Sequence, residues 1–506
     1  MHDFGLTTDW LRARMLASPQ ALAVMANGSA YTFAELDGMV DRLCGYLERE
    51  GVVTGEHIAL LMTNSLAAVC SIFSMARMGT TVVPINTRLT KDEIFWQLEH
   101  ADCRRVLCTE STKNAAMEAT SGRLPFHVLP EPPVDLEAWL SLFPPLTRST
   151  RLDPGVHSPQ AIQFTSGTTG FPKGARISYA NHLWGAIGSA FKLGVRSDDR
   201  WLVCLPLFHV GGMAILFRSC LYGTAVVLHD GFDEELVIHS LKAEGITLVS
   251  LVPTILTRLL DRGLHASQAP DLRLILLGGA AAPVDLLKSA FNAGLPVAVT
   301  YGLTEATSQI ATMLPVEARA KPGCTGRPLL FSDVKIVTES GAKARTNEPG
   351  EIVVRGPSIM SGYYVDDEAT RAALCNGWLH TGDIGYMDDD GDLWILNRRS
   401  DLIVSGGENV YPSEVERILR SHPLVVEACV VGLPHPVWGQ QVAALVQLVG
   451  PGQVDEDELL SFSRKFLAGY KQPRLVVFVD HMPMTGSGKI QRRAVEELLA
   501  AYLSQE

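Results

Sequence analysis

Residues 164–175 read FTSGTTGFPKGA, and their types suit the holding of an anion. Thr165, Ser166, Thr168 and Thr169 offer hydroxyl donors, and Gly167 and Gly170 let backbone amides approach closely. Lys173 adds one compact positive charge. A plain solvated turn has no need of so many donors beside a lysine, so the stretch reads as a phosphate loop. It is not the loop of the Walker type, which requires Gly-Lys-Ser/Thr in direct succession. Here Phe171 and Pro172 separate Gly170 from Lys173, and Gly174 follows. The run TGSGKI at residues 485–490 fails the same test, because Ile490 stands where a magnesium-binding hydroxyl is needed.

At 506 residues the chain is too long for one core and predicts at least two domains. A hydrophobic content of 47% with 19% charged residues is ordinary for a globular enzyme. The net charge of −12 speaks against nucleic acid as a partner, since a phosphate backbone needs a basic face. Nine cysteines without C-x-x-C pairs predict a reduced, cytoplasmic protein with no structural zinc. The first ten residues, MHDFGLTTDW, lack the basic and apolar regions of a signal peptide. The longest uncharged stretch, residues 58–76, is interrupted by Thr63-Asn64-Ser65, which predicts a strand, a turn and a helix instead of a stable membrane insertion.

The elements that must carry the loop alternate. HIALLM reads as a strand, SLAAVCSIFSMARMG as a helix and TVVPIN as a strand, with a capping box at Thr32 and Glu35 before them. Further strands are predicted at RVLCT, AIQFTSG, RWLVCLP, TAVVLH, ITLVSLVP, RLILLGG and PVAVTYG, with helical patterns between most of them. Several end in Gly or Pro (Gly167, Pro206, Gly278, Gly302), and ligands collect at the carboxyl ends of strands in open α/β sheets. From about Phe331 the texture turns β-rich. The fold class is therefore α/β: a large N-terminal domain of layered mixed and parallel sheets with helices plus a β-rich subdomain, residues 1–399, and a small mobile α+β C-terminal domain, residues 400–506. Pro412, Ser413 and Glu416 are expected to open the first helix of the small domain, and residues 388–392 to form a solvated hairpin turn.

FTSGTTGFPKGA, TYGLTE (residues 300–305), HTGD (380–383), NRRSDLIVSGGENVYPSEVE (397–416) and TGSGKI occur in this order over almost the whole chain. In this the chain resembles the adenylate-forming superfamily of acyl-CoA synthetases, adenylation domains and luciferases. The resemblance implies that a carboxylate is joined to ATP with release of pyrophosphate, and that the acyl group then passes to a thiol, with ATP, Mg2+ and coenzyme A as the small molecules. One anion must be brought onto another, so fixed donors and positive charge have to converge. The phosphate loop would hold the β- and γ-phosphates. By the same resemblance Tyr301 and Gly302 lie at the adenine, Thr304 bonds the α-phosphate and Glu305 reaches magnesium. Gly278, Gly279 and Ala280 offer backbone to the purine, Asp383 takes the ribose hydroxyls, and Arg398 holds ribose or phosphate. Lys489 is implied to enter the site during adenylation and bond both the α-phosphate and the carboxylate. For the second step the small domain turns, and Gly406 and Gly407 let the pantetheine arm pass. The hinge position, usually Asp or Lys in such proteins, is Ser400 here.

Over residues 199–229, 301–315 and 376–419 the chain is similar to the o-succinylbenzoate–CoA ligases of menaquinone biosynthesis. Such an acid carries a second carboxylate that the pocket must neutralise. Arg218, Thr307 and Ser308 are the candidates for it, and His209 would line the acyl pocket or the thiol entry. Rival readings are a ligase for another aromatic or fatty acid, for which an acyl pocket without a basic residue would speak, and an adenylating enzyme that loads a separate carrier protein. The expected partners are a small carboxylic acid, ATP and CoA, with a homo-oligomer left open.

Overall fold

The computed structural model describes residues 7–130, 141, 143, 154–166, 171–397, 402–450, 454–484 and 490–504. The chain divides into two compact units, one of Met1–Thr87, Leu98–Phe164 and Gly174–Leu396, the other of Arg88–Gln97, Thr165–Lys173 and Asn397–Glu506. Two short segments from the first 173 residues thus group with the C-terminal residues, which a single cut in sequence does not capture.

The first unit holds three sheets. One has eight strands in the spatial order Ser308–Met313, Val297–Leu303, Leu274–Leu277, Leu248–Leu251, Arg200–Val203, Ala225–Leu228, Leu22–Ala26 and Ser29–Thr32. Its six inner strands pair in parallel and the two outermost pair antiparallel. The inner strands are mostly apolar, as strands covered on both faces tend to be. A second sheet orders Phe126–Leu129, Cys103–Thr109, His57–Leu61, Thr81–Pro84, Pro159–Ser166 and Pro172–Ser178. The largest apolar core lies between these two sheets and is filled by helices Phe33–Arg49, Leu66–Met78, Tyr179–Leu193 and Val210–Tyr222. The third sheet, built on the antiparallel strands Asp333–Val337, Gly350–Arg355 and Trp378–Met387, is the expected β-rich subdomain.

Local chemistry explains where the helices begin. Glu35 N donates to Thr32 Oγ1 (3.2 Å) while Thr32 N donates to the Glu35 carboxylate (2.7 Å), so the capping box is present. Ser65 caps helix Leu66–Met78, and Gly79 at φ +68° ends it. That helix is buried almost all round, hence its nearly continuous apolar sequence. Arg77, near its end, is buried among the carboxylates of Asp9 (2.8 Å), Asp41 (2.8 Å) and Asp37, and so ties the N-terminal helix Trp10–Ala17 to the core. Eight of the nine cysteines are buried and Cys375 is half-buried. Burial pushes the thiols up, to about 12 for Cys204 and Cys220 and about 11 for Cys324.

In the second unit the long hairpin of Val425–His435 and Gly439–Leu448 pairs in parallel with Leu475–Val479 and carries helices Pro412–Arg420 and Arg492–Leu503. Helix Pro412–Arg420 starts at the expected place by a different means. Pro412 takes its first position and Tyr411 is the cap residue, without a side-chain bond. The Glu416 carboxylate instead accepts from Val430 N (2.9 Å) and from Arg492 (2.7 Å). The Asp388–Asp392 turn also differs from its solvated reading. Lys321 Nζ donates to Asp388 (2.9 Å), Asp390 (2.6 Å) and Asp392 (2.7 Å), and Asp392 is buried. Among the described residues no helix is long and apolar enough to cross a membrane.

Candidate active site

Strands Arg200–Val203, Leu274–Leu277 and Val297–Leu303 run parallel within the eight-stranded sheet, so their carboxyl ends share one edge. His209, Gly278–Ala280 and Thr304–Glu305 all follow such ends. Gly278 is required by packing: a Cβ there would lie 2.6 Å from Thr300 Cγ2. Gly279 takes φ +80°, the left-handed region that favours glycine. At Gly302 a Cβ would fall 1.6 Å from the carbonyl oxygen of Ser308, so the turn after Tyr301 closes only around glycine.

That turn is strained on purpose-built lines. Thr304–Ala306 form one 3-10 turn, after which Thr307 (φ +55°) and Ser308 (φ +92°) both take positive φ without being glycine. Such residues cost about 1–3 kcal/mol each and gather at ligand sites. Thr307 is held by donation from its Oγ1 to the Ser358 carbonyl (2.7 Å).

Two tyrosines aim two carboxylates here. The Tyr301 hydroxyl donates to Asp383 Oδ2 (2.6 Å), and both residues are buried. The structure thus joins the TYGLTE and HTGD motifs directly, across 82 positions of sequence. Asp383 N donates to Thr381 Oγ1 (3.1 Å), and Thr381 Oγ1 to the Ile352 carbonyl (2.7 Å). Glu351 secures the same turn, accepting from Gly382 N (3.0 Å) and bonding the His380 ring at Nδ1 (2.8 Å). The second pair is Glu305 and Tyr363, whose hydroxyl donates to Glu305 Oε1 (2.9 Å). Glu305 is buried, and its carbonyl accepts from Met360 N (2.8 Å). A carboxylate oxygen is a hard donor, and a buried one at a strand end fits Mg2+ in its chemistry. Tyr363, Thr381 and Glu351 were absent from the sequence-based set. Thr381 sits inside the HTGD motif, two residues from Asp383, whereas Tyr363 and Glu351 reach their partners only once distant segments come together.

His209 is exposed and caps helix Val210–Tyr222 through its backbone, its carbonyl accepting from Met213 N (3.0 Å). Arg218 lies two turns further along that helix. It is 2% exposed, and its Nε and Nη2 have no hydrogen-bond partner among the described residues. Its guanidinium stands 5.8 Å from the Trp201 ring. Burial pulls its pKa below the ordinary arginine value, and burial together with Arg218 brings the neighbouring His182 down to about 3. His182 is held by the side chain of Gln160, Nε2 to Oε1 2.9 Å. No described bond joins Arg218 to Thr307 or Ser308.

In the second unit Thr165 Oγ1 donates to the Lys173 carbonyl (3.4 Å). Gly406 (φ +59°) and Gly407 (φ +84°) form the two-residue turn between strands Ile403–Ser405 and Glu408–Val410. Gly406 N donates to the Trp438 carbonyl (2.8 Å), and a Cβ on Gly406 would meet the Trp438 ring at 2.8 Å. Arg474 stacks on that indole at 4.9 Å. Gly167, Thr168, Thr169, Gly170, Arg398, Ser400 and Lys489 lie outside the described residues, and Ser166 is described for its backbone alone.

The chain can now be set beside known proteins. It matches the model of the AMP-binding enzyme family over residues 11–364 and that of the AMP-binding enzyme C-terminal domain over residues 414–489. It is 41% identical to a 2-succinylbenzoate–CoA ligase from Bacillus licheniformis over 488 residues, 96% of this chain and 98% of the relative. Among solved structures, a double mutant of o-succinylbenzoate CoA synthetase (MenE) from Bacillus subtilis, bound with its product analogue OSB-NCoA, superposes with a TM-score of 0.88 at 35% identity, covering 97% of this chain and 98% of that one. The same synthetase in complex with ATP and magnesium ion gives a TM-score of 0.72 at 35% identity, covering 97% and 99%. With both family models matched in order and a strand-end site built from their motifs, the chain belongs to the AMP-binding enzyme family.

Proposed function

We propose that the protein is an ATP- and magnesium-dependent carboxylate–CoA ligase that works through an acyl-adenylate, and that its acid is 2-succinylbenzoate. The observation that carries this reading is identity of 41% with a 2-succinylbenzoate–CoA ligase along nearly the full length of both chains. The paired Tyr301–Asp383 and Tyr363–Glu305 contacts support it, because they orient two buried carboxylates suited to accept ribose hydroxyls and to ligate a cation.

In this reading residues 1–399 hold ATP and the acid, and residues 400–506 bring Lys489 and the Gly406–Gly407 turn. Asp383 accepts the ribose hydroxyls with its orientation set by Tyr301. Glu305 would hold Mg2+, which when bound neutralises phosphate charge. Thr165, Ser166, Thr168, Thr169 and Lys173, with the amides of Gly167 and Gly170, bind the phosphates that leave as pyrophosphate. Thr304 and Lys489 bond the α-phosphate, Arg398 the ribose or phosphate. Tyr301, Gly302, Gly278, Gly279 and Ala280 shape the purine slot. The carboxylate oxygen then attacks the α-phosphorus, and the acyl carbon is later attacked by the CoA sulfur with AMP leaving. Arg218, a buried cation short of protein partners, would meet the second carboxylate of the acid, with Thr307, Ser308 and His209 lining the way.

The test is ATP-dependent pyrophosphate release with CoA and a panel of acids: 2-succinylbenzoate, benzoate, 4-chlorobenzoate, octanoate and palmitate. The thioester is identified by mass. Strong preference for 2-succinylbenzoate is expected. Preference for a monocarboxylate would discard the acid and the role of Arg218 while keeping the chemistry.

A further inference from the structure

We propose that Tyr363 is a positioning residue for the divalent cation: it aims the Glu305 carboxylate while its own backbone is locked to the strand that returns from the phosphate loop. The inference rests on Glu305 being the metal ligand of the proposed ligase.

Tyr363 is fixed from two sides. Its segment pairs with strand Pro172–Ser178 through the Ala175–Tyr363 bridge, with Arg176 N donating to the Gly362 carbonyl (2.9 Å) and Tyr364 N to the Gly174 carbonyl (2.7 Å). Tyr363 N also donates to Thr370 Oγ1 (2.9 Å). Gly362 turns at φ +137°, and a Cβ there would stand 2.7 Å from Thr370 Cγ2. The backbone that presents the phenol therefore has little room to shift. The ring crosses the apolar cluster of Ala175, Ile177, Ala306 and Ile310, and its hydroxyl ends on Glu305 Oε1 at 2.9 Å.

The chemistry of that contact is what a metal ligand needs. A buried carboxylate without a donor would favour its neutral form. An arginine or lysine as donor would neutralise the charge and compete with the cation. A phenol steers one oxygen and leaves the negative charge in place. Partners of this kind, one shell out from a ligand, typically hold about 10–100-fold of metal affinity. The same device recurs at Tyr301 and Asp383, where no cation is called for and the carboxylate is aimed at hydroxyl groups instead.

The test uses Tyr363→Phe in the full-length enzyme, with Glu305→Gln as reference. The Mg2+ concentration for half-maximal pyrophosphate release should rise about tenfold, with the KM for the acid changed less than about twofold. Calorimetry should show the gain in ATP affinity on adding Mg2+ shrinking by the same factor, and metal-free ATP binding unchanged. In the Glu305→Gln background Tyr363→Phe should have no further effect. An unchanged Mg2+ requirement overturns the proposal. So does an equal loss of metal-free ATP binding, which would make Tyr363 a prop of the fold alone. A wild-type protein that releases pyrophosphate with no acid would instead sink the ligase reading, so the two failures are distinct.

Discussion

Replacing Arg218 with Met should move stability and activity in opposite directions. The guanidinium is 2% exposed, stays cationic at neutral pH, and leaves Nε and Nη2 without described partners. A buried cation in that condition burdens the folded protein until an anion arrives. Exchanging buried charges for apolar groups of similar volume is often neutral or stabilising by about 1–4 kcal/mol. The contact with Trp201 is worth about 1 kcal/mol and would be lost, so a net change between no loss and a gain of about 3 kcal/mol is expected. For the substrate the sign reverses. Two charge-assisted hydrogen bonds at about 1.5–3 kcal/mol each would vanish, and even the low end, about 3 kcal/mol, is a factor of roughly 150. The assay is kcat/KM for 2-succinylbenzoate and for benzoate in both proteins, with melting temperatures taken with and without each acid. The dicarboxylate should lose two orders of magnitude, benzoate should change less than about threefold, and 2-succinylbenzoate should raise the melting temperature of the parent but not of Arg218→Met. If the variant melts several degrees lower and both acids suffer alike, Arg218 is a structural residue and the reasoning fails.

Other outcomes follow from separate features. Lys489→Ala should lower pyrophosphate release by about 10²–10³-fold, the scale of one lost oxyanion donor, while thioester formation from preformed acyl-adenylate stays near that of the parent; equal losses in both steps would refute its role. His182 has a folded pKa of about 3 against about 6.5 in the unfolded chain. The unfolded chain therefore binds the extra proton first, so this contribution is complete above pH 6.5 and is lost as pH falls towards 3, by up to about 1.4 kcal/mol per pH unit. Urea midpoints between pH 7 and 4 should fall less steeply for His182→Asn, and an unchanged slope would contradict the assignment. Val365 is β-branched, exposed and at φ +51°, so Val365→Asn should raise stability by about 1 kcal/mol, read as a higher melting temperature; no rise would mean the backbone there is not strained.

Much of the framework was legible because short-range rules govern it. The Thr32–Glu35 capping box needs three residues of spacing, and the Gly406–Gly407 turn needs two glycines between strands. The strand ends that carry Gly278, Gly302 and Glu305 follow from periodicity and punctuation. What stayed hidden depends on sheets coming together. Tyr363 and Glu305 are 58 positions apart and meet only because residues near 363 pair with strand Pro172–Ser178. Lys321 lies 67 positions before Asp388, so a turn that looks solvated by composition is cross-braced. Arg218 was a pocket candidate from its type and position, and the structure adds that it is buried with two nitrogens unpartnered among the described residues. Helix Val210–Tyr222 is apolar on nearly every face, the pattern of a fully buried helix, so its lone charge lies in the interior.

The buried cysteines bear on what kind of vessel this protein is. An acyl group activated by adenylate reacts with any thiolate it meets, and the proposed reaction ends by offering it to one. Cys204 stands at the end of strand Arg200–Val203, five residues before His209, yet its thiol is buried and remains protonated far above neutral pH. The other seven buried thiols are silenced in the same way. Eight of the nine sulfur atoms are thereby kept from competing with the acceptor for an activated acyl group, by nothing more than where they were placed.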